Sequence, residues 1–182
     1  MTKKFITILV ILVLATSPRA FAQESDKVFV FDFGNSSSNA SRGHSDLDIF
    51  RVGRQWEFKR TFWQGDSARV SGYWEGSLNY WSADRDDVFA VALSPVFVLS
   101  FGEDDGNYHP FIEAGVGLAL LSDDRVGGRL MGSSWQFEDR IGFGLRSQRL
   151  GFHYRYMHYS NGDLSKPNQG LDAHVIGMTY SF

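Results

Sequence analysis

The chain has no cysteine and only four prolines in 182 residues. No disulfide can therefore staple the fold. Charge of one sign is missing too: 18 Lys and Arg stand against 21 Asp and Glu, a formal net charge of −3. No basic run appears, so nothing points to nucleic acid. Beyond the N-terminus there is no apolar run near the ~20 residues that a membrane helix needs. If such a chain enters a membrane, it must do so as a closed barrel, the other structure that satisfies every backbone polar group in lipid.

What is abundant is aromatic: 16 Phe, 7 Tyr and 5 Trp make 15 % of the residues, beside 19 Gly. With so little proline, that composition favours strands over helices. The N-terminus is a separate unit. Lys3 and Lys4 precede a short apolar core over 5–15, then Ser17, Pro18 and Ala20-Phe21-Ala22. A basic start, a short apolar core and an A-x-A site are the three parts of a secretory signal peptide, expected here over residues 1–22. The expected mature domain is then 23–182, one domain by length.

From Val28 the hydrophobic period is two. Eight strands are predicted, starting at residue 28 and then over about 48–58, 69–82, 87–101, 108–122, 134–147, 150–160 and 172–182. The fourth is the clearest: Phe89, Val91, Leu93, Pro95, Phe97, Leu99 and Phe101 oppose Ala90, Ala92, Ser94, Val98 and Ser100. Pro95 lacks a ladder donor, so a bulge or kink is expected there. A β-sandwich also alternates, but its apolar face is a mixed core and its outer face is solvated. Here Arg51, Glu75, Glu113, Glu138, Arg140 and Arg155 share a face with small residues, while aromatics crowd the other. A small barrel whose lumen is filled by acids and bases, with aromatics toward lipid, fits that division. The chain also ends on Phe182, closing an alternating last strand in the manner of outer-membrane assembly signals. The fold class expected is all-β, an eight-stranded antiparallel transmembrane β-barrel of the outer-membrane type, in the cell outer membrane of a Gram-negative bacterium. Two features fit less well: Arg54 and Asp139 fall on the lipid face by parity, and 59–67 is long for a periplasmic turn.

The candidate site lies in HYSNGDLSKPNQGLD, residues 158–172. His158 and Ser160, two apart on a strand, share a face about 7 Å from each other along the backbone. Asp172, returning on the next strand, could orient the imidazole. Nucleophile, base and orienter are the roles that acyl transfer needs. Parity puts all three outward, toward lipid. With both termini periplasmic, the 161–171 connection is extracellular and the trio lies near the outer rim, where the leaflet is lipopolysaccharide and lipid A carries its acyl chains. Position and residue type thus suggest a lipid acyl hydrolase. A polar girdle at the interface accounts for the same three residues without chemistry.

The segment H-Y-S-N followed by P-N-x-G and an acid resembles the PagL family of outer-membrane lipid A 3-O-deacylases. The likeness extends through RVSGYWEGSLNYW, LSPVFVLSF, PFIEAGVGLA and GSSWQFEDRIGFGL, over nearly the whole mature chain. The resemblance implies a lipid-facing triad that cleaves the 3-hydroxyacyl ester at position 3 of lipid A. Carried over by position, Ser160 is the nucleophile, His158 the base and Asp172 the acid. Asn161 and the backbone around Gly162 help form the oxyanion hole. The better-known family members carry glutamate at the acid position, so Asp172, one methylene shorter, requires a closer backbone; Asp139 is the fallback by parity. No metal or cofactor is implied. His153 is expected in the luminal network and His44 and His109 in loops, while His174 and Tyr156 line either the substrate groove or the aromatic belt. Lipid A, or lipopolysaccharide, and outer-membrane lipid are the expected partners, and a homodimer is permitted. An outer-membrane phospholipid hydrolase or transferase and a non-catalytic structural barrel are the competing readings.

Overall fold

A computed structural model describes residues 27–36, 44–84, 86–102 and 108–182. The proposed signal peptide lies outside the described residues. Eight long strands carry the fold: β1 (Val28–Ser36), β2 (Leu47–Glu57), β3 (Ala68–Ser82), β4 (Asp87–Phe101), β5 (His109–Leu121), β6 (Trp135–Arg146), β7 (Leu150–Ser160) and β8 (Leu171–Ser181). Each pairs antiparallel with its neighbours in sequence. The closing seam joins β1 to β8, with Val28 opposite Ser181 and Ser36 opposite Ala173. The result is a closed up-and-down barrel in which every long strand is paired on both sides, so no edge is exposed.

Alternation decides which residues face which way. Along β4 burial switches at nearly every residue: Val88, Ala90, Ala92 and Ser94 are buried, and Phe89, Val91 and Leu93 are open to the outside. Phe89, Leu120 and Ile176 are each more than 60 % exposed, and the outward apolar surface continues around the barrel. Contiguous exposure on that scale is foreign to a soluble monomer and is what a lipid-facing band requires.

The lumen is filled in layers. At mid-height Arg51, Arg140 and Arg155 interleave with Asp32, Glu75, Glu113 and Glu138, all buried. Arg155 donates to Glu113 at 2.5 Å and Asp32 at 3.0 Å. Arg140 reaches Glu75 at 2.7 Å and Glu138 at 2.5 Å. Arg51 bonds Glu138 at 2.9 Å, Asn79 at 3.0 Å and also Glu75. His153 joins the network through Asp32 at 2.7 Å, in space that a side chain at Gly177 would fill. Nearer the end opposite the termini lies an apolar layer including Leu47, Ile49, Trp81, Met131, Met157 and Leu171. Alternation predicts the charged layer; the apolar plug is a finding of the structure.

Two local expectations resolve differently, and a third holds with a physical reason. Pro95 produces no bulge. The β4–β5 register is the same on either side, Leu93 opposite Leu118 and Val96 opposite Gly115, with the ladder interrupted between. Losing one donor thus costs rungs without shifting strands. The long 59–67 connection is mostly hairpin: Trp63–Gln64 pairs with Val70 and Arg69, and Gly65 N donates to Ala68 O at 2.9 Å. The extra residues bulge out, and Phe58 and Phe62 pack against Phe97 at 5.8 and 5.3 Å between centroids. Arg54 meets the lipid face by laying its guanidinium over Trp56, 5.4 Å from the ring centre, near the end of β2 on the terminal side of the barrel.

Candidate active site

The pairing of β7 with β8 sets the site. His158 lies directly opposite Asp172 in the register. A cross-strand pair brings two Cβ atoms to about 5 Å, close enough for a short carboxylate to span the gap. His158 Nδ1 stands 2.7 Å from Asp172 Oδ1. The shorter aspartate side chain thus reaches the imidazole from the directly opposite register position. Asp139 is the cross-strand neighbour of His158 on the other side, in β6. The imidazole bonds Asp172, so the fallback acid is not the one engaged.

A carboxylate only accepts, so in the neutral imidazole this bond assigns the proton to Nδ1 and the lone pair to Nε2. His158 and Asp172 side chains are 39 % and 58 % exposed, on the outward face at the end opposite the termini. Ser160 is the last residue of β7, on the same face as His158. Among the described residues its hydroxyl has no hydrogen-bond partner. Asp172 Oδ1 also accepts from Tyr156 Oη at 2.7 Å, a bond that the sequence reading of that tyrosine, as lining the groove or the aromatic belt, did not include. Its signal was available: Tyr156 precedes His158 by two on the same face, so it stands diagonal to Asp172.

Asn161 begins the loop and is fully buried. Its amide nitrogen donates to Met131 O at 2.8 Å and Ser165 O at 3.0 Å. Its carbonyl accepts from Leu164 N at 3.2 Å across Gly162 and Asp163, both at positive φ (62° and 63°). Positive φ at both central positions is the requirement of a type I′ turn, which glycine meets without strain. Asp163 bonds Lys166 at 2.8 Å and Asn168 at 3.2 Å, and these donors hold its carboxyl below the usual aspartate value.

A second loop locks the first in place. Ser165 Oγ donates to Gly132 O at 2.6 Å, and Leu130 N to Gln169 Oε1 at 2.6 Å. A side-chain carbon at Gly132 would collide with Pro167 O. In the same hairpin Arg129 donates to Ser45 O at 3.0 Å. Burial holds its guanidinium below the ordinary arginine value, opposed by the carboxylates of Asp46 and Asp172. Gly170 approaches the imidazole from the other side: a carbon added there would lie 3.4 Å from His158 Cε1.

Of the remaining histidines, His153 is luminal as expected and His174 faces outward, bonded through Nδ1 to Tyr154 Oη at 2.6 Å. His44 lies in the connection after β1, but His109 opens β5 and pairs with Arg146, so the expected loop position is corrected by one residue of strand.

A closed eight-stranded barrel with an apolar outer band, bearing a histidine–carboxylate pair and a serine on its outward face, defines an outer-membrane-type barrel with a hydrolase-like surface site. Comparison with known proteins narrows this. The family model described as "Lipid A 3-O-deacylase (PagL)" matches residues 48–181. Lipid A deacylase PagL of Pseudomonas aeruginosa is 35 % identical over 179 residues, 96 % of each chain. The Bordetella bronchiseptica protein of the same name is 35 % identical over 115 residues, 59 % of this chain and 61 % of its own. A crystal structure of the outer membrane enzyme PagL superposes with a TM-score of 0.74 at 32 % identity, covering 85 % of this chain and 99 % of that one. The chain belongs to the PagL family.

Proposed function

We propose that this protein is an outer-membrane esterase that removes the 3-O-linked 3-hydroxyacyl chain of lipid A, using Ser160, His158 and Asp172. The observation that carries the reading is the 2.7 Å bond from His158 to Asp172 on the outward face, with Ser160 two residues further along the same face. Family membership supplies the substrate class, and placement on the lipid side at the rim opposite the termini supports it.

In this mechanism Ser160 Oγ attacks the ester carbonyl as His158 Nε2 takes its proton. Asp172 keeps the proton on Nδ1 and stabilises the imidazolium that forms. The Cα–Cβ bond of Ser160 turns to bring the hydroxyl to Nε2, since catalytic hydrogen bonds often tighten only in the substrate complex. The tetrahedral oxyanion is met by the main-chain N–H at Gly162, joined by that of Asn161 once it gives up its 3.3 Å bond to Asn168 Oδ1. Both protons of the Asn161 carboxamide are committed to Met131 O and Ser165 O, so its side chain serves by fixing the turn. His158 then protonates the departing sugar oxygen, leaving an acyl-Ser160 ester. Water, deprotonated by His158, cleaves that ester and releases the 3-hydroxy fatty acid. The N-terminal segment over 1–22 is proposed to direct export.

The test is expression in a host of defined lipid A, comparing lipid A mass spectra for wild type and Ser160→Ala. Loss of one 3-hydroxyacyl chain with wild type only is expected, with the free 3-hydroxy acid recovered. Release of an unsubstituted fatty acid instead would move the substrate to phospholipid. Unchanged lipid A in both strains, with the barrel folded in the membrane, would reject the assignment.

A further inference from the structure

The outward face carries more polar chemistry than a nucleophile, a base and an acid require. Below His158 and Asp172 the polar side chains continue toward the hydrocarbon, alternating between β7 and β8. Tyr156 is the cross-strand partner of His174, and His158 that of Asp172. The hydrogen bonds run diagonally between these levels. Tyr154 Oη contacts His174 Nδ1 at 2.6 Å, and Tyr156 Oη donates to Asp172 Oδ1 at 2.7 Å. The His174 ring lies 5.4 Å from that of Tyr156 and 6.0 Å from that of Tyr154, centre to centre.

We propose that Tyr156 is a positioning residue of the site: its phenol holds the Asp172 carboxylate against His158. The inference rests on the hydrolase reading given above. One oxygen, Oδ1, accepts from both Tyr156 and His158. With the imidazole as its only donor, a carboxylate on an outward-facing strand could turn about two side-chain bonds. Two donors on one strand, two residues apart, bracket it and fix its direction. The second donor also offsets part of the cost of keeping a carboxylate charged beside lipid, where water is scarce. Tyr156 is in turn held by its packing on His174, whose orientation the bond to Tyr154 sets. Tyr156 therefore acts through Asp172 and does not itself touch the reacting atoms.

The decisive experiment is a double-mutant cycle on the purified, refolded barrel. It uses lipid A bearing a 3-O-linked 3-hydroxyacyl chain, presented in detergent micelles. Folding of each variant is checked by heat-modifiable electrophoretic migration. Tyr156→Phe is expected to lower kcat about tenfold at unchanged KM, the scale of a lost hydrogen bond to a charged group. In the Asp172→Ala background the same change is expected to have no further effect, because the group it positions is gone. Tyr180→Phe, which removes a phenol from the outward face near the opposite end of the barrel, is the control and should match wild type. An equal fall in both backgrounds, a change confined to KM, or full activity in Tyr156→Phe would overturn the proposal. Wild type and Ser160→Ala run alongside separate the two readings: no turnover by wild type defeats the hydrolase reading, and turnover kept by Ser160→Ala defeats the triad, whatever Tyr156 does.

Discussion

The barrel holds two clusters of charged and polar residues, one inside and one outside, and they are built on opposite principles. In the lumen each arginine meets at least two carboxylates, and the groups are buried. At the rim His158 has one carboxylate partner, Asp172, and both are substantially exposed. A buried network whose carboxylates are all paired fixes strand positions, and although Arg140 Nε has no hydrogen-bond partner among the described residues, it is sealed inside where no ligand reaches it. Among the described residues the rim leaves the second imidazole nitrogen of His158 and the Ser160 hydroxyl unengaged, facing the phase where the proposed substrate resides. Charge that is saturated serves the fold, and charge left incomplete serves chemistry.

The sharpest way to break that contrast is to remove a member from each cluster. His158→Ala should lower deacylation about 10⁴-fold or more, the scale seen when a triad base is lost, while the urea midpoint of the barrel stays within error of wild type. A large fall in stability would mean that the rim pair is structural. Arg155→Met should do the reverse. It leaves Asp32, Glu75 and Glu113 short of a partner, at a cost of about 3–5 kcal/mol. The folded fraction should still turn over lipid A at the wild-type rate, measured after separating folded from unfolded protein on gels.

Much of this division is legible in the sequence alone. Period-two alternation puts Arg51, Glu75, Glu113, Glu138, Arg140 and Arg155 on one face, and all six are buried in the lumen. Strand ends fall within a residue or two of where alternation stops. What parity could not supply was depth. Trp81 and Ile49 lie inside, in an apolar layer that a pattern of acids and small residues does not announce. Nor could it say which of two acids the base engages. Asp139 and Asp172 both flank His158 on the outward face, and the hydrogen bond follows side-chain direction that sequence spacing does not encode. Loop clamps such as Asn161 to Met131 join residues 30 apart through irregular backbone, where no periodicity exists to be read.

Asn161→Ala sharpens the comparison at the boundary between the clusters. The residue is buried like a luminal one, yet the turn it ties carries the proposed oxyanion donors. Losing its three side-chain bonds, to Met131 O, Ser165 O and Ser165 N, should cut kcat about ten- to a hundredfold and open the 161–170 loop to protease, with the barrel itself still resistant. Equal protease resistance in wild type and variant would show that the second loop alone holds the turn.

The smallest effect is expected from Asp172→Glu, and it tests how closely the rim is fitted to its own acid. Aspartate reaches His158 Nδ1 at 2.7 Å from the directly opposite register position and takes the Tyr156 bond on the same oxygen. An added methylene carries the carboxylate about 1.5 Å further from its strand. Glutamate must then fold back to keep the imidazole, and it cannot hold both donors on one oxygen in the same geometry. Activity should fall by no more than about tenfold, because a carboxylate is still present to fix the tautomer of His158. The luminal network offers no such latitude: lengthening Asp32 to glutamate would press into the space that Gly177 leaves beside His153. A rise in kcat for Asp172→Glu, measured on the same lipid A micelles, would show that reach limits this site and that the cross-strand register only partly makes up for the shorter acid.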